Sequence, residues 1–182
     1  MVNHKLEHKM YLFRKIRWNL TEDAAKKILK AMILPVADYG DLVYGTCIKT
    51  HIAKLQLVIN KGLRTCLKDR NTINTEKLLK LADINYLEDR RDKHLLQKAF
   101  EVSLDIKAVD RRNIRTRAHD ERLLKVKRPK NPIYSRSLEF RVATTWNKLD
   151  ITTRALKTKE QFKQWNDGKY KDKIKMLPDL VN

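Results

Sequence analysis

Glycine and proline are scarce in this 182-residue chain, with four of each. Sheets joined by many tight turns need both residues, whereas helix interiors tolerate neither, so the shortage favours helices. Cysteine is scarcer still, with Cys47 and Cys66 alone. Two cysteines imply no disulfide framework and make a reducing compartment the default. No apolar run approaches the roughly 20 residues needed to cross a bilayer. The opening MVNHKLEHKMYLF has no continuous apolar stretch of the secretory kind. The expectation is a soluble, intracellular protein of the nucleus or the cytoplasm.

Acidic residues are the most informative shortage. There are 22 Asp+Glu against 41 Lys+Arg, a formal net charge of +19. So large an excess repels itself in the folded state, and it persists where an anionic partner neutralises it. Nucleic acid, an anionic membrane face and an acidic protein all qualify. Hydrophobic residues make up 42%, enough for a packed core. The length suits one sizeable domain, or a helical domain with a smaller appendage.

The apolar residues recur mostly at helical spacing. Leu6, Met10, Phe13 and Ile16 form one stripe within residues 5–18, with Lys5, Lys9, Arg14 and Arg17 among them. Thr21 followed by Glu22 and Asp23 is an N-cap signal for the next helix. Pro35 is expected to kink that helix, because proline removes a backbone donor and crowds the preceding turn. The stretch DYGDLVYG (38–45) alternates apolar and polar residues, and its glycines weaken the case for helix there. Ile52, Leu55, Ile59, Leu63 and Cys66 mark another helix, and Leu78, Leu79 and Leu81 a short one over 75–82. A longer helix over 86–104 uses Leu87, Leu95, Leu96, Ala99, Phe100 and Leu104.

Beyond residue 110 the composition shifts. Residues 111–141 hold eleven Arg/Lys against three acids. RLLKVK and YSRSLEFRV both alternate with period two on either side of RPKNP, which predicts a linker leading into a β-hairpin. Short helices through Trp146 and from about Thr158, the latter with Phe162 and Trp165, close the chain. The fold class is therefore mainly α. A helical domain over 1–108 is followed, over 109–182, by a basic linker, a small β-hairpin and short C-terminal helices.

No catalytic centre emerges. Asp38 and Asp41 are the nearest approach to a Mg²⁺-binding carboxylate pair, but no third carboxylate accompanies them. The better reading has them cap or hydrogen-bond the end of the kinked helix. Cys47, His51 and Cys66 lack the paired spacing of a zinc site, and Cys66 falls on an apolar helix face. His4, His8, His51, His94 and His119 are dispersed, and between His4 and His8 the glutamate is Glu7, not the residue directly after the first histidine as in the H-E-x-x-H zinc hydrolase motif. The phosphate-binding, nucleophile-elbow and paired CxxC motifs are absent.

The basic stretch is different. Arginine forks match phosphate oxygens, and Tyr134 and Phe140 offer faces for a stacked base. The candidate nucleic-acid-binding residues are Arg111, Arg112, Arg115, Arg117, Lys125, Lys127, Arg128, Lys130, Arg136 and Arg141. A membrane-surface role is disfavoured, because the basic residues are not confined to one helix face opposite aromatics.

Four stretches then come in a familiar order: ILPVADYGDLVYG (33–45), KLQLVINKGLRTCL (54–67), NYLEDRRDKHLL (85–96) and SLEFRVATTWNKLD (137–150). They resemble the region just after the polymerase palm in reverse transcriptases of non-LTR (LINE-type, jockey/CR1-like) retrotransposons. Phe140, Trp146, Asn147 and Leu149 match that family's aromatic–x–W-N-x-L-P signature, with Asp150 in place of its proline. EQFKQW (160–165) resembles the element that follows, while Ile59 and Gly62 stand where glutamine and alanine are usual. The resemblance implies a helical thumb and the basic segment beyond it, clamping RNA or DNA by its backbone. The catalytic aspartates and their Mg²⁺ would belong to a palm upstream of residue 1, so this chain is expected to hold no cofactor and to have no polymerase activity alone. Two other readings remain open: a protein-interaction module, with Leu6, Met10 and Phe13 exposed to meet a palm or another protein, and a remnant of a mobile element without function.

Overall fold

The structure, a computed structural model, describes residues 2–44, 49–69, 72–109, 122–126 and 131–176. Among these the regular structure is helical and no strand is present. The described residues fall into two compact units, one made of 2–90 with 171–176 and the other of 91–170.

The first unit contains α1 (Val2–Ile16), α2 (Glu22–Ile28), α3 (Leu34–Asp38), α4 (Asp41–Tyr44), α5 (Lys49–Leu67), α6 (Thr75–Ala82) and the start of α7 (Leu87–Val109). Its core joins Leu6, Met10 and Phe13 of α1 to Leu29 and Ile33, and to Leu55, Ile59, Leu63 and Cys66 of α5. Leu78 and Leu79 of α6 complete it, whereas Leu81 is exposed. Local signals set the boundaries. The Thr21 hydroxyl accepts from Ala24 N at 3.3 Å and starts α2. The Gln56 side chain of α5 accepts from Leu87 N at 2.9 Å, satisfying a free amide at the start of α7.

Pro35 acts through the turn before it. Residues Leu29–Ile33 form a π-helical turn between α2 and α3. Proline cannot donate to the carbonyl one turn back, and the widened turn absorbs that mismatch. Lys9 Nζ of α1 donates to the Met32 carbonyl in this turn at 3.2 Å. Gly40 follows in the left-handed region (φ 70) and separates α3 from α4.

Gly62 marks the closest approach in this unit. A Cβ there would lie 2.8 Å from Leu29 Cδ1 and 3.1 Å from Met10 Sδ. Leu29 is fully buried, so its methyl has little room to retreat. The alanine usual in the resembled family does not fit this packing. Gly168, in α11 (Lys159–Lys175), has nothing within 4 Å of the same position. Gly62→Ala is expected to lose about 1 kcal/mol, because overpacking outweighs the helix gain. Gly168→Ala should gain about 1 kcal/mol from helix propensity alone. Urea unfolding of both variants checks the opposite signs.

The second unit runs from Arg91 of α7 through an irregular segment (122–126), α8 (Pro132–Ser135), α9 (Leu138–Asn147), α10 (Ile151–Arg154) and α11 as far as Tyr170. An aromatic cluster forms its centre. Phe100 stacks on Phe162 with ring centroids 4.5 Å apart, and Trp146 sits 6.1 Å from Phe100 and 6.0 Å from Phe162. Leu95, Leu96, Ala99, Leu124, Val142 and Ala143 are buried in the same unit.

The expected β-hairpin is not found among the described residues. Its second arm, YSRSLEFRV, lies in α8 and α9. Ser137 caps α9 by accepting from Phe140 N at 3.3 Å, and the buried residues Val142, Ala143 and Trp146 follow helical spacing. Of the first arm, residues 122–126 form neither helix nor strand, and Leu124 pairs with a side chain. Asn147 Oδ1 accepts from Leu124 N, and Asn147 Nδ2 donates to Leu124 O, both at 2.9 Å. One amide thus satisfies both backbone groups that a neighbouring strand would have served.

Candidate nucleic-acid interface

Three of the ten basic candidates lie among the described residues. Lys125 is exposed in the irregular segment that Asn147 holds, and Arg136 is exposed at the end of α8. Arg141 is half-buried on α9 and already engaged within the protein. Arg111, Arg112, Arg115, Arg117, Lys127, Arg128 and Lys130 lie outside the described residues, as do Cys47 and His119.

Arg122 has a structural role. Its backbone is left-handed (φ 52), its carbonyl accepts from Trp146 Nε1 at 2.7 Å, and its guanidinium donates to the Arg154 carbonyl at 2.9 Å. Tyr134 and Phe140 do not present two free faces. Their rings meet edge to face with centroids 6.0 Å apart, and both are half-buried.

The groups considered for metal chemistry are accounted for locally. The Asp38 carboxylate is held by both arms of the Arg90 guanidinium, with Nε at 3.0 Å. Asp41 is buried and engaged. Cys66 lies in the core with its Sγ 3.4 Å from the Ala25 carbonyl, and burial pushes its thiol up to about 11. His4, His8 and His51 are exposed. Among the described residues no three His, Cys, Asp or Glu side chains converge as metal ligands, and no helix is long and apolar enough to cross a membrane.

Leu6, Met10 and Phe13 cannot form the exposed docking face expected of them. They are 0%, 3% and 2% exposed, closed off by α5 and the turn before α3. The stripe they begin continues to Arg17, eleven residues after Leu6, while Ile16 turns outward. Arg17 is 4% exposed, and its guanidinium donates to the Thr65 and Cys66 carbonyls at the end of α5 and to Leu20 O. The last carbonyls of a helix lack partners in the next turn, and they and the negative end of the helix dipole favour a cation there.

Sequence reasoning passed over a second basic and aromatic cluster. Trp18 and Tyr11 are 75% and 53% exposed, with Lys68 Nζ 5.3 Å from the Trp18 ring centroid and Lys15 Nζ 4.6 Å from that of Tyr11. The signal was present, because Tyr11, Lys15 and Trp18 recur at helical spacing on the face opposite Leu6, Met10 and Phe13. The chain matches no known protein-family model, no curated protein and no solved structure.

Proposed function

We propose that this chain is a nucleic-acid-binding, thumb-like fragment of a non-LTR retrotransposon reverse transcriptase, gripping a primer–template duplex through its backbone. The net charge of +19 carries the reading, because it calls for a polyanion. The four motif stretches, in the order that family uses, narrow the polyanion to a primer–template duplex. The roles of Trp146, Asn147 and Phe162 in the second unit accord with a motif kept for folding rather than catalysis. The carboxylates that hold Mg²⁺ belong in that family to the palm, so chemistry is not expected of this chain by itself.

Titration of a labelled RNA–DNA hybrid at several salt concentrations tests the proposal. Four phosphate contacts would lower the affinity about 100-fold between 50 and 200 mM salt. Lys125→Ala and Arg136→Ala should each reduce the slope of log K against log salt by about 1, with little sequence dependence. Absent binding, or binding indifferent to salt, overturns the reading. Nucleotide incorporation in a primer-extension assay would overturn the assignment of chemistry to the palm.

A further inference from the structure

We infer that the outer face of α1 and the turn after it form a stacking site for the bases of a single-stranded nucleic acid. The site is separate from the basic segment 111–141, and its ligand is the base rather than the duplex backbone. Tyr11, Arg14, Lys15 and Trp18 are all exposed along one face, opposite the buried stripe of Leu6, Met10, Phe13 and Arg17. Trp18 lies in the 3₁₀ turn Arg17–Asn19, and Tyr11 two turns before it. An exposed Trp and Tyr give apolar rings to water at a cost, and a base recovers that cost by stacking. A lysine ammonium lies over each ring, so a base that stacks on the other face, or takes the lysine's place, keeps a cation near its phosphate. On the outer face of α1 itself Arg14 and Lys15 stand against Glu7, and Lys68 adds a cation beside Trp18, while the exposed carboxylates Glu22 and Asp23 begin the helix after the turn.

Two features hold the Trp18 end in place. Arg17 fastens the turn to the last carbonyls of α5, one residue before Trp18. Lys68 closes α5 in the left-handed region (φ 53), with Asp69 N donating back to Arg64 O at 3.0 Å. Glycine is the easier residue at such a helix end, and a lysine there is disfavoured by about 1 kcal/mol. That strained lysine is the one whose ammonium meets the Trp18 ring. Lys15 and Arg14 supply charge on the other side.

The test compares a labelled single-stranded oligonucleotide, an abasic strand of equal length and an RNA–DNA duplex. Trp18→Ala should weaken binding of the base-bearing strand about 5- to 150-fold, and Tyr11→Ala should weaken it in the same direction. Both should leave the abasic strand and the duplex within about twofold, so a failure here is distinguishable from failure of the duplex reading. Circular dichroism should be unchanged, because the Trp18 ring is mostly in water. Lys68→Gly should raise thermal stability while weakening the same single strand, a combination that a purely structural role cannot give. Equal affinity of Trp18→Ala and the parent protein for the base-bearing strand would sink the proposal. So would an abasic strand or polyglutamate that binds the parent protein as tightly.

Discussion

Trp146→Ala is expected to unfold the second unit. Truncating a fully buried tryptophan costs about 3–5 kcal/mol through lost burial and the cavity left behind. Trp146 is 1% exposed and packs beside the stacked pair Phe100 and Phe162. The change also removes the indole N–H that satisfies the Arg122 carbonyl at 2.7 Å, at a residue held in a left-handed conformation. A unit of about 80 residues has a total stability of roughly 4–12 kcal/mol, so the loss takes much of it. Hydrogen exchange should show amides of α9 opening at or near the global rate, while those of α5 keep their protection. Trp146→Phe separates the two contributions. It keeps an aromatic ring but leaves the carbonyl without its donor, at about 1–3 kcal/mol. Protection of α9 unchanged in both variants would show that Trp146 does not hold the unit together.

Much of the first unit was legible because one physical signal dominated. Leu55, Ile59, Leu63 and Cys66 are buried on α5 as their spacing predicts, and Thr21 caps the helix it precedes. Leu81 and Ile16 turned outward because a stripe narrows once its neighbours are packed, which spacing alone does not show. The failures lie where two patterns shared the same residues. Leu138, Phe140 and Val142 alternate like a strand, while Val142, Ala143 and Trp146 recur like a helix. The Ser137 cap and burial of the tryptophan decided for the helix. Asn147 could not have been foreseen as the partner of residues 122–126, because that pairing joins residues 23 apart through one side chain. The basic segment was legible as charge and no further, since composition fixes sign and density but not the direction in which a side chain points. Charge alone also hid Arg122 and Arg17, whose guanidiniums serve backbone carbonyls inside the protein. A cation at an apolar position of a helical stripe can be a helix-end ligand, and position 17 carried that signal.

Arg17→Met gives the largest effect expected in the first unit. Methionine keeps the apolar stem in the stripe but withdraws the donors to Thr65 O and Cys66 O, both 3.0 Å from Nε, and to Leu20 O, 2.7 Å from Nη1. Leaving the buried Cys66 carbonyl without its donor costs about 1–3 kcal/mol, and the half-buried Thr65 and Leu20 carbonyls lose less, since Thr65 O also accepts from Lys68 N at 3.4 Å and water can enter. The loss of a cation at the end of α5 adds to this. The expected total is about 2–4 kcal/mol. Arg17→Lys should recover only part of it, because one ammonium cannot span the positions reached by a planar fork. Cys66 supplies the readout. Its thiol is fully buried, and burial raises its pKa, so it stays protonated and unreactive at neutral pH while α5 is intact. In a Cys47→Ser background, the rate at which a thiol reagent labels Cys66 follows the population of opened α5 when reclosing is fast. A loss of 2–4 kcal/mol corresponds to labelling about 30- to 900-fold faster. Arg17→Met that labels at the parental rate and melts at the parental temperature would show that the guanidinium is not what fastens the end of α5.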